Sequence, residues 1–138
     1  MNRNDKMNPS SVEGILDLNA FDNVLVATIK KGAIDAPDME SVFEKIRDSL
    51  SGNPSSTIFV LDLREVSEIK DAAIGQLGVQ SFCFKRHKQL LVLAGISEGV
   101  AKAIVALGLG GVLVFHASVE SALNSYRRSL VSSFPSDE

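Results

Sequence analysis

Apolar residues recur along the chain in two patterns, short runs rich in β-branched residues and longer stripes with helical spacing. The short runs predict strands at residues 12–18, 24–29, 56–61, 89–95 and 112–115. The stripes predict helices that begin near residues 38, 71, 97 and 118. Strands that alternate with helices indicate a parallel sheet, and the first two strands are close enough to pair as an antiparallel hairpin. We therefore predict an α/β sandwich with a mixed, mostly parallel sheet of about five strands and about four helices.

The stretch from residue 60 to residue 77 combines a buried strand, a polar bend and the start of a helix. The run 56–61 is typical of a central strand that is covered on both faces. Asp71 is predicted to be the N-cap of the helix, where its carboxylate would accept hydrogen bonds from free backbone N–H groups and face the positive end of the helix dipole. The apolar positions that favour a buried or amphipathic helix here are Ala72, Ala73, Leu77, Val79, Phe82, Cys83 and Phe84.

The helix that begins at Ser97 and the last helix also have residues that can cap their ends. Gly108 is a plausible left-handed cap for the first of them, and Ser118 can cap the second. The predicted apolar side of the helix from Ser97 consists of Val100, Ala101, Ile104, Val105 and Leu107.

The chain has 138 residues, which is the usual size of one domain. We expect that domain at residues 12–131, between a disordered segment at 1–11 and a disordered tail at 132–138. The formal net charge of −3 gives no reason to expect nucleic acid as a partner. The stretch 99–115 contains Lys102 and four glycines, so it does not predict a membrane span. With no secretory signal and a single cysteine, the sequence favours a soluble cytoplasmic protein.

The chain contains few residues that could form a catalytic or metal site. His87 and His116 have no cysteine or carboxylate at metal-ligand spacing, and they are interpreted as surface or boundary residues. The glycines at 108–111 follow a helix and precede a strand, the reverse of the order in a phosphate-binding loop. Cys83 has an apolar setting and no adjacent base, which indicates a structural thiol. We predict no enzymatic activity, no cofactor and no metal.

Two clusters of charged residues, at 62–65 and 85–88, have simple structural explanations. Asp62, Arg64 and Glu65 are predicted to lie in one loop and to be solvated together. The basic residues at 85–88 follow the second helix, where they complement the negative end of its dipole or bind an anionic partner.

Four segments together resemble a STAS domain, the fold of bacterial anti-sigma factor antagonists and of the cytoplasmic part of sulfate-type anion transporters. Residues 32–35 resemble the Gly-x-Leu-Asp of that family, and residues 60–69 resemble the strand and loop before its phosphorylation site. Residues 94–100 and 107–109 resemble its closing strand, helix and turn. The resemblance covers roughly residues 12–128 and implies the same fold.

The chain departs from the family at the start of the second helix. The family usually has Asp-Ser-Ser/Ala-Gly-Leu/Ile-Gly there, and this chain has Lys70-Asp71-Ala72-Ala73-Ile74-Gly75. Asp71 therefore stands where the family has the serine that a partner kinase phosphorylates, and Lys70 stands where it has aspartate. Aspartate brings about one negative charge, where phosphoserine brings roughly −1.5 to −2. Asp71 is either a partial mimic of phosphoserine or only a helix cap, and both interpretations remain open.

The resemblance implies a non-enzymatic module of bacterial transcription control that binds a protein partner, an anti-sigma factor or a serine kinase of the switch type. The partner would contact the surface from Ser67 to Gln80 without serine phospho-switching, and a homodimer is left open. The residues expected at the contact are Ser67, Glu68, Lys70, Asp71, Ala72, Ala73, Gly75 and Gln76. The alternative is a subunit of a transport or signalling assembly that binds a small anion or nucleotide at the helix N-terminus, although Asp71 would repel an anion there.

Overall fold

The computed structural model describes residues 15–52 and 56–126, so the expectations for residues 1–11 and 132–138 lie outside the described residues. The strands are β1 Leu16–Phe21, β2 Val24–Ile29, β3 Ala33–Ile34, β4 Ile58–Asp62, β5 Glu68–Ile69, β6 Leu90–Ala94 and β7 Val114–His116. The helices are α1 Ala36–Gly52, α2 Asp71–Arg86, α3 Glu98–Ala106 and α4 Val119–Tyr126. The predicted order of strands and helices is confirmed, with the two-residue strands β3 and β5 added to it.

Within the described ranges, the main sheet has five strands in the order β1-β2-β4-β6-β7. The hairpin of β1 and β2 is antiparallel, and every other pair in this sheet is parallel. Each parallel step is made by a helix, because parallel neighbours need a long crossover connection. The predicted fold class, with a mixed and mostly parallel sheet of five strands and four helices, is confirmed for the described part of the chain.

The helices cover the two faces of the sheet unequally. One core cluster joins α1, α2 and α3 to one face, with Phe43, Phe59 and Leu77 among its fully buried residues. The other face is covered by α4, where Ala122 packs among valines such as Val60 and Val92. Strand β4 is buried on both faces from Phe59 to Asp62, as its continuous apolar run predicts.

The first hairpin differs from the prediction in where its first strand ends. Strand β1 continues to Phe21, so the connection left between the two predicted strands, residues 19–23, shortens to Asp22 and Asn23. The ladder has six consecutive residue pairs, from Leu16 opposite Ile29 to Phe21 opposite Val24, so residues 19–21 belong to the strand. The predicted start of this strand, at residues 12–14, lies outside the described residues.

Only part of the apolar surface predicted for α2 is buried. Its buried positions are Ala73, Ile74, Leu77, Ser81 and Phe84, which form one stripe at helical spacing. Ala72, Val79 and Phe82 are exposed, and Cys83 is intermediate. A helix that packs on one face of a sheet offers a single stripe to it, so apolar residues outside that stripe remain at the surface.

Candidate functional site

The segment that precedes α2 is fixed by a small second sheet. Strand β3 pairs with β5 in parallel, with Ala33 opposite Glu68 and Ile34 opposite Ile69. The carbonyl oxygen of Gly32 accepts hydrogen bonds from the backbone N–H groups of Ser67 at 2.8 Å and Glu68 at 3.1 Å. These bonds join the loop that resembles the family's Gly-x-Leu-Asp to the loop before α2. The paired strands β3 and β5, with the loops that lead into them, form a platform that supports the start of α2.

Helix α2 begins at Asp71, as predicted, but Asp71 is not its N-cap. The N-cap is Lys70, whose extended backbone ends the platform and whose carbonyl oxygen accepts hydrogen bonds from the N–H groups of Ala73 and Ile74. Lys70 makes no side-chain capping bond, because an ammonium group only donates. The cap role predicted for Asp71 is therefore wrong by one residue. Its carboxylate lies in the first helical turn, where its charge complements the dipole.

Most of the residues predicted at the partner contact lie at the surface. Ser67, Glu68, Lys70, Asp71, Ala72 and Gly75 are exposed, and Gln76 is partly exposed. Ala73 is fully buried, so its predicted place in the contact surface is wrong, because it lies on the stripe of α2 that packs against the core. The Ser67 hydroxyl donates to the Gly32 carbonyl at 3.1 Å and is already used in holding the platform.

Lys70 and Glu68 form an ion pair beside Asp71. The Lys70 ammonium donates to a Glu68 carboxylate oxygen at 2.9 Å, and this hydrogen bond raises the pKa of Lys70 above its ordinary value. Both side chains are more than half exposed, so water screens the attraction. Since Lys70 pairs with Glu68, the Asp71 carboxylate is left without a hydrogen bond among the described residues and is open to an external group.

Helix α1 begins next to this platform, and its N-terminus is closed by two aspartates. The Asp35 carboxylate accepts from the N–H of Asp38 at 2.9 Å, and the Asp38 carboxylate accepts from the N–H of Asp35 at 3.2 Å. This reciprocal arrangement is a capping box. Burial acts to raise the pKa of Asp38, but the hydrogen bond from Lys31 at 2.9 Å and the bonds with Asp35 outweigh it and hold that pKa below its ordinary value.

We expect Asp38→Asn to lower the free energy of unfolding by about 0.5–1 kcal/mol at neutral pH, because asparagine keeps an acceptor for the Asp35 N–H but loses the charge. The folded-state pKa of Asp38 lies below its unfolded value, so its contribution is complete above about pH 4 and is lost as the pH falls through the folded-state value. Urea unfolding of both proteins between pH 7 and pH 2.5 should show the two free energies converging below about pH 4. In the same helix, the exposed Glu40→Gln should change the free energy by no more than about 0.5 kcal/mol. A difference for Asp38→Asn that persists unchanged at the acid end would contradict this account.

The remaining candidate residues occupy separate parts of the fold. His87 is exposed at the end of α2, and His116 is partly buried beside Ser121 and Tyr126. Asp62 was expected in a solvated loop, but it is buried at the end of β4, where Arg64 and Thr28 contact it. The sheet explains this correction, because β2 and β6 flank β4 and enclose its last residue.

Within 15–52 and 56–126, no group of three His, Cys, Asp or Glu side chains is arranged to hold a metal ion. In the same ranges, no helix has both the length and the apolar character that crossing a membrane requires.

The sequence prediction missed a groove that lies beside Asp71. It runs along the exposed side of α2 and is closed by residues 107–112, which connect α3 to β7. Val105 and Leu107 were assigned to the apolar side of α3 that packs inward, but both are exposed. The sequence contains one signal for this groove, because several apolar residues of α2 fall outside the stripe that is buried.

Comparison with known proteins establishes the family of this chain. The family model of the STAS domain matches residues 16–122, which is more than half of the chain. The chain belongs to the STAS domain family. Among curated proteins, by contrast, no sequence matches it.

Solved structures share the fold of this STAS domain at low sequence identity. The anti-sigma factor antagonist SpoIIAA in its unphosphorylated form is 18% identical, with a TM-score of 0.65 over 80% of this chain and 94% of its own. A serine-to-glutamate variant of RsbS from Moorella thermoacetica is 16% identical, with a TM-score of 0.68 over 85% and 97%. A sulfate transporter family protein from Wolinella succinogenes is 23% identical, with a TM-score of 0.58 over 80% and 88%. At these identities the similarity establishes the fold alone.

Proposed function

We propose that this STAS domain is a non-enzymatic interaction module that binds a regulatory protein, an anti-sigma factor or a switch kinase, through residues 67–76. The module would work in the cytoplasm of a bacterium, in a pathway that controls transcription. Asp71 would hold the module in one binding state, because the chain has no serine at that position that could be phosphorylated and dephosphorylated. The family and the anti-sigma factor antagonists among its structural neighbours support this class of function.

The observation that carries the proposal is the position of Asp71. Its carboxylate is exposed on the first residue of α2, directly after a loop that β3 and β5 hold in place. A charged group on a rigid element can discriminate between partners, because an unpaired charge at an interface is costly. Lys70, not Asp71, is the N-cap, so the interpretation of Asp71 as only a cap loses its hydrogen-bond basis and the partial mimic of phosphoserine is favoured.

The anion-binding alternative has weaker support at this position. Its supporting observation is the fold shared with the sulfate transporter family protein, which does not extend to a binding site. The N–H groups at the start of α2 could serve an anion, but Asp71 carries a negative charge in the same turn. Glu68 adds a second carboxylate nearby, and its pairing with Lys70 removes the cation that would offset this charge.

We expect Asp71→Ser to change the affinity for the partner by at least tenfold, because it removes a full charge from the contact. The partner is first recovered with the tagged wild-type chain and then purified, and its affinity for wild type, Asp71→Ser and Asp71→Ala is measured by titration calorimetry. A partner that prefers the unphosphorylated state should bind Asp71→Ser more tightly than wild type. Asp71→Ala should separate loss of charge from gain of the hydroxyl.

The matched control is Glu120→Ser, which also removes an exposed carboxylate from the first turn of a helix. Glu120 lies on α4, across the sheet from α2, so this change should leave the affinity within twofold of wild type. Equal affinities for wild type and both Asp71 variants would refute the proposal that Asp71 sets the binding state.

A further inference from the structure

The groove beside α2 is the main concentration of exposed apolar side chains in the described part of the chain. Its volume is about 570 Å³, and Val79, Phe82, Leu107 and Val112 line it. These four are among the six large apolar residues that the described ranges leave exposed, and the side chain of Phe82 is 62% exposed. Clustered apolar surface of this kind marks an interaction site more often than single exposed residues do.

The exposed stripe of α2 that borders this groove has a negative charge near its start and a positive charge near its end. Asp71 stands at the first turn, and Arg86 stands at the last, with its guanidinium carbon 5.9 Å from the centre of the Phe82 ring. Between them lie Gly75, Gly78, Val79 and Phe82 at spacings of three or four residues, so all of them share one face of the helix. The stripe therefore reads acidic, small, apolar and basic from its start to its end.

Two copies of this stripe are complementary to each other when the helices run in opposite directions. If two copies of α2 pair antiparallel about a two-fold axis between Gly78 and Val79, Asp71 of each copy lies opposite Arg86 of the other. In the same register Phe82 lies opposite Gly75, and Val79 lies opposite Gly78. A two-fold interface makes each of these contacts twice.

Gly75 provides the space that such a pairing needs. A Cβ atom at Gly75 would meet nothing within 4 Å, so the surface there is an open notch that can receive a Phe82 ring. At Gly78 a Cβ would lie 3.3 Å from the Leu109 side chain, so the helix and the 107–112 segment are already in close contact there. The notch is therefore on the open side of the groove, where a second helix would enter.

We propose that the occupant of this groove is α2 of a second copy of the chain, and that the protein forms an antiparallel two-fold dimer through it. This inference goes beyond the proposed function and rests on the groove and on the order of residues along α2. In the dimer Asp71 is paired with Arg86 of the other copy. Self-association and binding of a partner through Asp71 would then exclude each other.

The test measures the mass of the full chain by sedimentation velocity over a dilution series from about 1 to 500 μM, which covers weak association. Wild type should form a dimer that dissociates on dilution. Phe82→Glu should be monomeric throughout, because it places a charge in the Gly75 notch. Gly75→Leu should also be monomeric, because it fills the notch, while its fold, checked by circular dichroism, is kept.

Two further sets of variants separate this arrangement from other dimers. Asp71→Arg and Arg86→Asp should each weaken the dimer by about tenfold, because each places like charges together twice, and the double variant should return to within threefold of wild type. Gly99→Leu, at an exposed helical glycine in α3 that also has open space around it, should dimerise like wild type. A wild-type chain that is monomeric at every concentration overturns the proposal. A dimer that survives Phe82→Glu and Gly75→Leu, or a double charge reversal that gives no recovery, overturns it as well.

Discussion

Replacing Phe84 by alanine should lower the free energy of unfolding by about 3–5 kcal/mol, the typical cost of truncating a buried aromatic side chain. Phe84 is 4% exposed and joins three elements through aromatic contacts. Its ring centre lies 4.9 Å from that of Phe59 on β4 and 6.1 Å from that of Phe43 on α1. Since domains of this size are stable by only about 5–15 kcal/mol, the variant should lose a large part of its stability. Thermal unfolding should show a Tm that is lower by roughly 10–20 °C.

Phe82→Ala is the matched control for this prediction, since it removes the same side chain from the same helix. Phe82 projects from the opposite side of α2, so its loss should change the unfolding free energy by less than about 1 kcal/mol. Both variants are measured by urea unfolding at a protein concentration of about 1 μM, where association through the groove contributes little. Equal losses for the two variants would mean that α2 is rotated on the sheet relative to the structure described above.

Replacing Arg64 by alanine should cost about 2 kcal/mol, although the Arg64 side chain is itself 67% exposed. The cost arises from the group that is left behind. Asp62 is 1% exposed at the end of β4, and one of its carboxylate oxygens lies 3.2 Å from the Arg64 guanidinium. Without Arg64 that carboxylate keeps a hydrogen bond from the Thr28 hydroxyl at 3.2 Å and one from a backbone N–H. A buried charge that loses its partner is destabilising even when the partner was solvated.

Lys30→Ala is the control for Arg64→Ala, because Lys30 and Asp17 form an ion pair in which both side chains are about half exposed. Its loss should change the unfolding free energy by no more than about 0.5 kcal/mol. Adding Asp62→Asn to Arg64→Ala should recover about half of the loss, since asparagine needs no counter-charge. If Arg64→Ala costs no more than Lys30→Ala, water solvates Asp62 and its burial does not determine the stability of this loop.

Asp62 also shows where sequence reasoning reaches its limit. Its chain neighbours Arg64 and Glu65 indicate a solvated loop, and nothing in that local pattern distinguishes a residue at the end of a central strand from one just after it. The neighbours that bury Asp62 belong to strands that are distant in the sequence, with Thr28 opposite it on β2 and Ala94 on β6. Strand order, which is a property of the whole fold, decides the burial of this carboxylate.

The platform under α2 is a second case. Strands β3 and β5 have two residues each, which is too short for apolar alternation to be recognised. Their pairing brings Ile34 and Ile69 together across 35 positions of the chain. Only the resemblance of residues 32–35 and 60–69 to the STAS family pointed to these loops, and it did not predict that they pair.

What the sequence determined by itself is the order of strands and helices, the fold class and the start of α2 at Asp71. These follow from local periodicity, because apolar spacing distinguishes a strand that is buried on both faces from a helix that is buried on one side. The tertiary structure decided which side of α2 is buried, that Lys70 and not Asp71 is its N-cap, and that Phe82 and Val79 border a groove with residues 107–112. The physical reason is that burial and capping depend on which distant segments pack together, and that packing belongs to the folded chain and not to any local stretch of it.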